Sequence, residues 1–170
     1  LSLPSHDQTF VASLMMLLAD LVSEGQMPNV YRIEMLDDGG DLGPWVECYS
    51  EPMGVAAEDF EAMLHAERSR SDLPGQLTRF AARIGGEIVG TSQLFVHEGV
   101  AGIYLVATRQ GNRRHGIGTA LTHAACIAGV RRGLGVATLQ ASSSGYPVYR
   151  KLSFEDVAAY DLLTFPRDAG

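Results

Sequence analysis

The 170-residue sequence predicts an α/β (α+β) fold, a mixed and mostly antiparallel sheet built around one parallel βαβ unit. Two strand-like segments, residues 77–84 and 87–96, flank Gly85-Gly86 as a hairpin, and a third at 101–107 follows the turn His97-Glu98-Gly99. A strand, a helix and a strand then succeed one another within about forty residues. In that unit Ile117, Ala120, Leu121, Ala124, Ile127 and Ala128 line one face of a helix over 113–132, Gly133 ends it, and residues 136–141 form the next strand. Its two strands should run parallel, with ligands at their carboxyl ends, residues 106–111 and 141–145.

The segments ahead of the hairpin follow the same logic. Phe10, Leu14, Leu17, Leu18 and Leu21 recur at helical spacing, so residues 7–22 are expected to form a helix that ends near Gly25. Residues 1–28 then form an N-terminal helical extension, compatible with the remnant of a preceding domain, and 29–170 the main domain. Residues 29–36 alternate as a strand, and Asp37-Asp38-Gly39-Gly40 turns the chain. Two helices follow, one around Trp45 and one over 56–69, before the turn Asp72-Leu73-Pro74-Gly75.

Composition narrows the function. With 46% hydrophobic and 19% charged residues spread along the chain, one compact domain is expected. A net charge of −7 argues against a nucleic-acid partner, which needs a broad basic surface, and favours cationic substrates. Cys48 and Cys126 stand alone, with neither zinc spacing nor a disulfide pattern, so no metal is expected and a reducing cytoplasm is the simplest setting. The apolar run 14–19 is too short to span a bilayer, so no membrane partner is expected.

The basic residues that do cluster, Arg109, Arg113 and Arg114, lie between strand and helix, where the first helical N–H groups have no intrahelical partner. Arginines at a helix start oppose its dipole, so a bound anion should compensate them. Three phosphate-loop readings compete. Gly111 and Gly116 have Walker spacing, but Ile117-Gly118 stands where Lys and Ser/Thr are required. Gly116-Ile117-Gly118 begins a dinucleotide fingerprint without its third glycine. Arg113-Arg114-His115-Gly116-Ile117-Gly118 instead resembles the R/Q-x-x-G-x-G/A motif of the GNAT superfamily of acetyl-CoA-dependent N-acetyltransferases, in the same place between a strand and a long helix.

That resemblance covers residues 77–165 well and 31–70 in outline. It implies a GNAT fold in which the two parallel strands splay to admit CoA. Val106, Ala107 and Thr108 would pair with the pantetheine arm, and Arg113, Arg114, His115, Gly116, Ile117, Gly118 and Thr119 would hold the pyrophosphate. Direct attack by an amine would place negative charge on the thioester oxygen, with a backbone N–H near Leu105 or Val106 as the stabilising donor. Tyr149 falls where the family positions the acid that protonates the leaving thiolate, with Tyr146 as the alternative. Tyr149-Arg-Lys-Leu-Ser-Phe154 departs from the family pattern in carrying Ser153 where glycine is usual.

The resemblance thus implies acetyl-CoA as acyl donor and a small-molecule or protein amine as acceptor, and it leaves room for a homodimer. Trp45, Tyr49, Phe95 and Tyr104 are candidates for an acceptor pocket or for plain core. No general base stands out among Glu47, Glu51, His65, His97 and Glu98; His115 and His123 read as a loop residue and an exposed helix residue. The competing reading is a non-catalytic acyl-CoA sensor or interaction module of the same fold.

Overall fold

The computed structural model describes residues 7–18, 30–36, 40, 42–72 and 74–164. Thirteen elements alternate along it, among them strands β1 (Asp7–Leu17), β2 (Arg32–Leu36), β3 (Leu77–Ile84), β4 (Glu87–His97), β5 (Val100–Thr108), β6 (Val136–Ser142) and β7 (Glu155–Thr164). The α-helices are α1 (Leu42–Ser50), α2 (Phe60–Arg68), α3 (Ile117–Arg131) and α4 (Tyr146–Lys151). The strands form one seven-stranded sheet in the order β2-β3-β4-β5-β6-β1-β7. Every neighbouring pair is antiparallel except β5 and β6, the parallel pair that α3 connects.

The helix expected over residues 7–22 is corrected: residues 7–17 are a strand in this same sheet, not part of a helical extension. The run Leu14 to Leu18 satisfies both periods. Leu14, Met16 and Leu18 fall on the buried side while Met15 is 38% exposed, the alternation of a strand. The β1 backbone pairs with β6 on one side and β7 on the other, and that double pairing overrides the helix propensity of leucine and methionine. The rest of the expected helix, residues 19–22 with the end near Gly25, and residues 37–39 of the predicted turn lie outside the described residues.

The hairpin, the strand after it and β6 match the predicted ranges closely. Strand β2 begins at Arg32, and a single 3₁₀ turn at Ala57–Asp59 leads into α2, so the helix expected over 56–69 is shorter than its apolar pattern suggested. Likewise α3 starts four residues later than predicted, because Arg114 and Gly116 take left-handed backbone (φ 65° and 78°) that no helix accommodates.

The sheet separates two cores. On one face α3, α4 and the turn after α4 pack Ile117, Leu121, Ala125, Tyr149 and Phe154 against Leu14, Leu94, Ile103 and Leu139. On the other, Trp45, Val46 and Tyr49 of α1 and Leu64 of α2 cover Ala81, Ile88 and Ala107. Gly90 lets α3 approach the sheet: a Cβ there would stand 2.7 Å from Ile117 Cγ2 and 2.9 Å from Leu121 Cδ1. Among the described residues, no helix is long and apolar enough to cross a membrane.

Ser153 explains why glycine suits its position. It is exposed at φ 67°, in the turn where Phe154 N–H donates to Tyr149 O at 3.1 Å. A side chain in left-handed backbone costs about 1–2 kcal/mol. Ser153→Gly is therefore expected to stabilise the fold by about 1 kcal/mol, read as a higher denaturant midpoint at unchanged slope.

Candidate active site

The parallel strands β5 and β6 stay paired only from Val100↔Val136 to Ile103↔Leu139, although β5 runs on to Thr108 and β6 to Ser142. Leu105 is the cause. It takes left-handed backbone at φ 50°, and the register of β5 on β4 shifts between Gln93↔Tyr104 and Thr91↔Ala107, a bulge of one residue. Thr91 Oγ1 pins it by donating to Leu105 O at 2.8 Å. Beyond the bulge Ala107 and Thr108 remain paired to β4, so the β6-facing edge of Val106, Ala107 and Thr108 opens into a cleft. A leucine held at positive φ is strained, and such strain persists where the surrounding structure enforces it.

The start of α3 faces this cleft. A Cβ on Gly118 would lie 3.8 Å from Thr108 Oγ1 and 4.0 Å from Val106 Cγ1, which places the first helical turn beside the diverging strand. Among the described residues, the N–H groups of residues 114–119 make no backbone hydrogen bond; the first helical bond is Ala120 N to Gly116 O at 2.9 Å. No side chain caps the helix and no acid lies in its first turn. Instead Arg113 and Arg114 are exposed around it, Arg113 donating from Nε to Thr108 O at 3.2 Å. Free amides, the positive end of a helix dipole and two exposed arginines are thus gathered at the start of α3. Ile117 is buried in the α3 core and offers only its main chain, while His115 bonds back to Asn112 O at 3.2 Å.

Tyr149 lies on α4, which begins after the end of β6. Its ring packs on Gly145, where a Cβ would meet Cε2 at 3.1 Å, and edge-on against Phe154 at 6.1 Å. Burial pushes its phenol up to about 12, so it is protonated at neutral pH. Tyr146, the alternative acid, has its hydroxyl committed as donor to Asp156 Oδ2 at 2.8 Å.

A family model described as the acetyltransferase (GNAT) family matches residues 41–154, well over half of the chain. The chain belongs to the GNAT family. Solved structures agree on the fold. A GCN5-related N-acetyltransferase from Sphaerobacter thermophilus superposes with a TM-score of 0.76 at 22% identity over 93% of this chain and 52% of that one. A predicted acetyltransferase with acetyl-CoA from Clostridium acetobutylicum gives 0.62 at 18% identity, over 75% of this chain and 91% of that one. An aminoglycoside acetyltransferase from an uncultured soil metagenomic sample, in complex with trehalose, gives 0.64 at 20%, over 83% and 100%. The chain spans 52% and 60% of the length of the first two GNAT structures it resembles. Among curated proteins, none matches it by sequence.

The remaining candidates of this GNAT chain divide by face. Trp45 is core: it is fully buried and donates from Nε1 to Phe80 O at 2.9 Å. Tyr49 is also buried, whereas Tyr104 is 40% exposed and Phe95, half-buried, stacks with His97 and lies under Arg70. Glu47 pairs with Arg109 at 3.5 Å, His65 reaches Ser69, and His123 is half-buried on α3. Three features have no signal in the sequence. Leu105 carries no local mark of its positive φ, Tyr31 brings its hydroxyl within 3.6 Å of the Cβ position of Gly116, and Gln93 is buried on the face of the sheet that α1 covers.

Proposed function

We propose that the protein is an N-acetyltransferase that moves the acetyl group of acetyl-CoA to a primary amine by direct attack. The observation that carries this reading is the meeting of an unpaired strand edge at Val106–Thr108 with the uncapped, arginine-flanked start of α3, contact made at Gly118. An extended amide-bearing arm suits the first and a pyrophosphate the second. Val106, Ala107 and Thr108 offer main-chain groups to the arm; Arg113 to Thr119 offer amides and guanidinium groups to the phosphates. A main-chain N–H near Leu105 or Val106, at the bulge, is the donor that stabilises charge on the thioester oxygen in this reading.

Tyr149 serves the leaving sulfur. With its own pKa near 12, above the ~8.5 of an ordinary thiol, the phenol acts first as a hydrogen-bond donor to sulfur as negative charge gathers there. The sign of the shift sets a pH expectation. A raised pKa means the folded protein keeps the proton, and the protonated form is lost only as pH rises through about 12. The alkaline limb of kcat from pH 7 to 10 is therefore expected to be unaffected by Tyr149 titration, which a kcat profile over that range checks.

A lysine-like acceptor is neutral only about once in 2,500 molecules at pH 7, so kcat/KM should climb with pH over the same interval. The acceptor is a small-molecule or protein amine. A screen of alkylamines, aminoglycosides, polyamines, amino acids, arylamines and lysine peptides for thiol release from acetyl-CoA tests the reading. Release above the amine-free rate with at least one class is expected; acetyl-CoA binding without such release with any class would indicate a sensor.

A further inference from the structure

The α1-side face of the sheet holds a polar atom that the acetyl-transfer chemistry has not yet used. Ser92 donates to Leu121 O on α3 at 3.1 Å and Leu94 belongs to the α3-side core, so Gln93 between them faces α1. It lies directly across from Tyr104 on β5 and from Arg79 on β3. Gln93 is only 5% exposed, yet its Oε1 has no hydrogen-bond partner. A buried carbonyl oxygen without a donor is costly and rare.

No described neighbour supplies the missing donor. Arg79 is committed: it stacks on Trp45 and donates twice to Glu67 Oε2, at 3.0 and 2.5 Å, so it does not turn to Gln93. Tyr49 Oη, within electrostatic reach of the same ion pair, is a second buried polar atom without a partner. On the other flank the Tyr104 ring folds down over Gly102, where a Cβ would come within 2.6 Å of it. Tyr104 immediately precedes Leu105, so Gln93 sits one residue pair from the point where β5 leaves β6.

We propose that Gln93 positions the acceptor, its side-chain carbonyl accepting a hydrogen bond from the attacking amine with the exposed Tyr104 ring as the wall beside it. A neutral carbonyl suits this task. It accepts an N–H from the amine in either protonation state and, once the amine is neutral, leaves the nitrogen lone pair free for the thioester carbon. The substrate class is thus a primary amine carried on an apolar or aromatic neighbouring group that packs on Tyr104.

This inference rests on the acetyl-transfer reading, and steady-state kinetics on Gln93→Leu and Gln93→Glu, paired with acetyl-CoA calorimetry, separates the two. Leucine removes the oxygen at similar volume. Gln93→Leu is expected to raise the amine KM at least tenfold, with acetyl-CoA affinity within threefold of wild type and the melting temperature unchanged or higher. Gln93→Glu keeps an acceptor oxygen, so its amine KM should return to within about threefold of wild type and its kcat/KM profile should gain a new acidic limb. A Gln93→Leu protein whose amine KM stays within threefold overturns the assignment, leaving the acetyl-transfer reading intact; a solvent molecule bound to Gln93 would give that result. Loss of acetyl-CoA affinity or of folding in Gln93→Leu, without rescue by glutamate, makes Gln93 structural and overturns it too. A wild-type protein that binds acetyl-CoA but releases no thiol with any amine overturns the transfer reading itself, and the assignment with it.

Discussion

Tyr149→Phe is expected to lower kcat by about 10²-fold while acetyl-CoA affinity changes by less than about tenfold. On the proposed mechanism the phenol donates to the sulfur, which becomes charged only as the thioester carbon–sulfur bond breaks. A hydrogen bond to that charge is worth up to about 3 kcal/mol in the transition state and far less to the neutral thioester. The ring itself packs on Gly145 and Phe154, and phenylalanine keeps that packing. A weakened fold or cofactor site with intact chemistry is the opposite pattern and would mark Tyr149 as a packing residue. Steady-state thiol release with acetyl-CoA titration distinguishes the two, and a single-turnover measurement guards against slow product release. Unimpaired single-turnover acetylation in Tyr149→Phe would remove this role.

Gly118→Asp should be at least as damaging, but to binding. A Cβ at Gly118 meets only ordinary contacts at 3.8 and 4.0 Å, and its backbone is helical, so the chain is expected to fold with the substitution. The carboxylate then stands at the uncapped start of α3, the proposed pyrophosphate site. Like charges about 4 Å apart repel by roughly 1–4 kcal/mol in surroundings between bulk water and a protein surface, and the side chain adds bulk there besides. Affinity for acetyl-CoA should fall by about 10²-fold or more, as calorimetry would show. Gly118→Ala is the control, since it adds volume without charge. Gly116 would be the poorer choice for this test, because its φ of 78° strains any side chain.

The contrast between Gly116 and Leu105 shows which parts of the site the sequence makes legible. Gly116 announces itself because a backbone at positive φ selects glycine, and its spacing from Arg113 and Gly118 carries the rest. The hairpin at Gly85-Gly86 is readable for the same reason, both glycines sitting at positive φ. The bulge at Leu105 is opaque: its conformation is imposed by Thr91 on a neighbouring strand, a contact no local window contains. Strand β1 reads as a helix because the run Leu14 to Leu18 is apolar throughout and so fits both periods, and only pairing with β6 and β7, more than a hundred residues away, decides between them. Gln93 was invisible for a related reason, since a glutamine in a strand becomes informative only once its neighbours are seen to be committed elsewhere.

The most direct test of the acetyl-transfer account is a side-by-side assay of wild type and Gly118→Asp at one acetyl-CoA concentration, measuring released thiol and N-acetylated amine in the same reaction. For the best amine of the screen, wild type is expected to form the two in a one-to-one ratio, both dependent on amine, and Gly118→Asp to form neither above background. Thiol release that does not require the amine, or acetylated product formed equally well by Gly118→Asp, would contradict transfer at the cleft between β5 and β6.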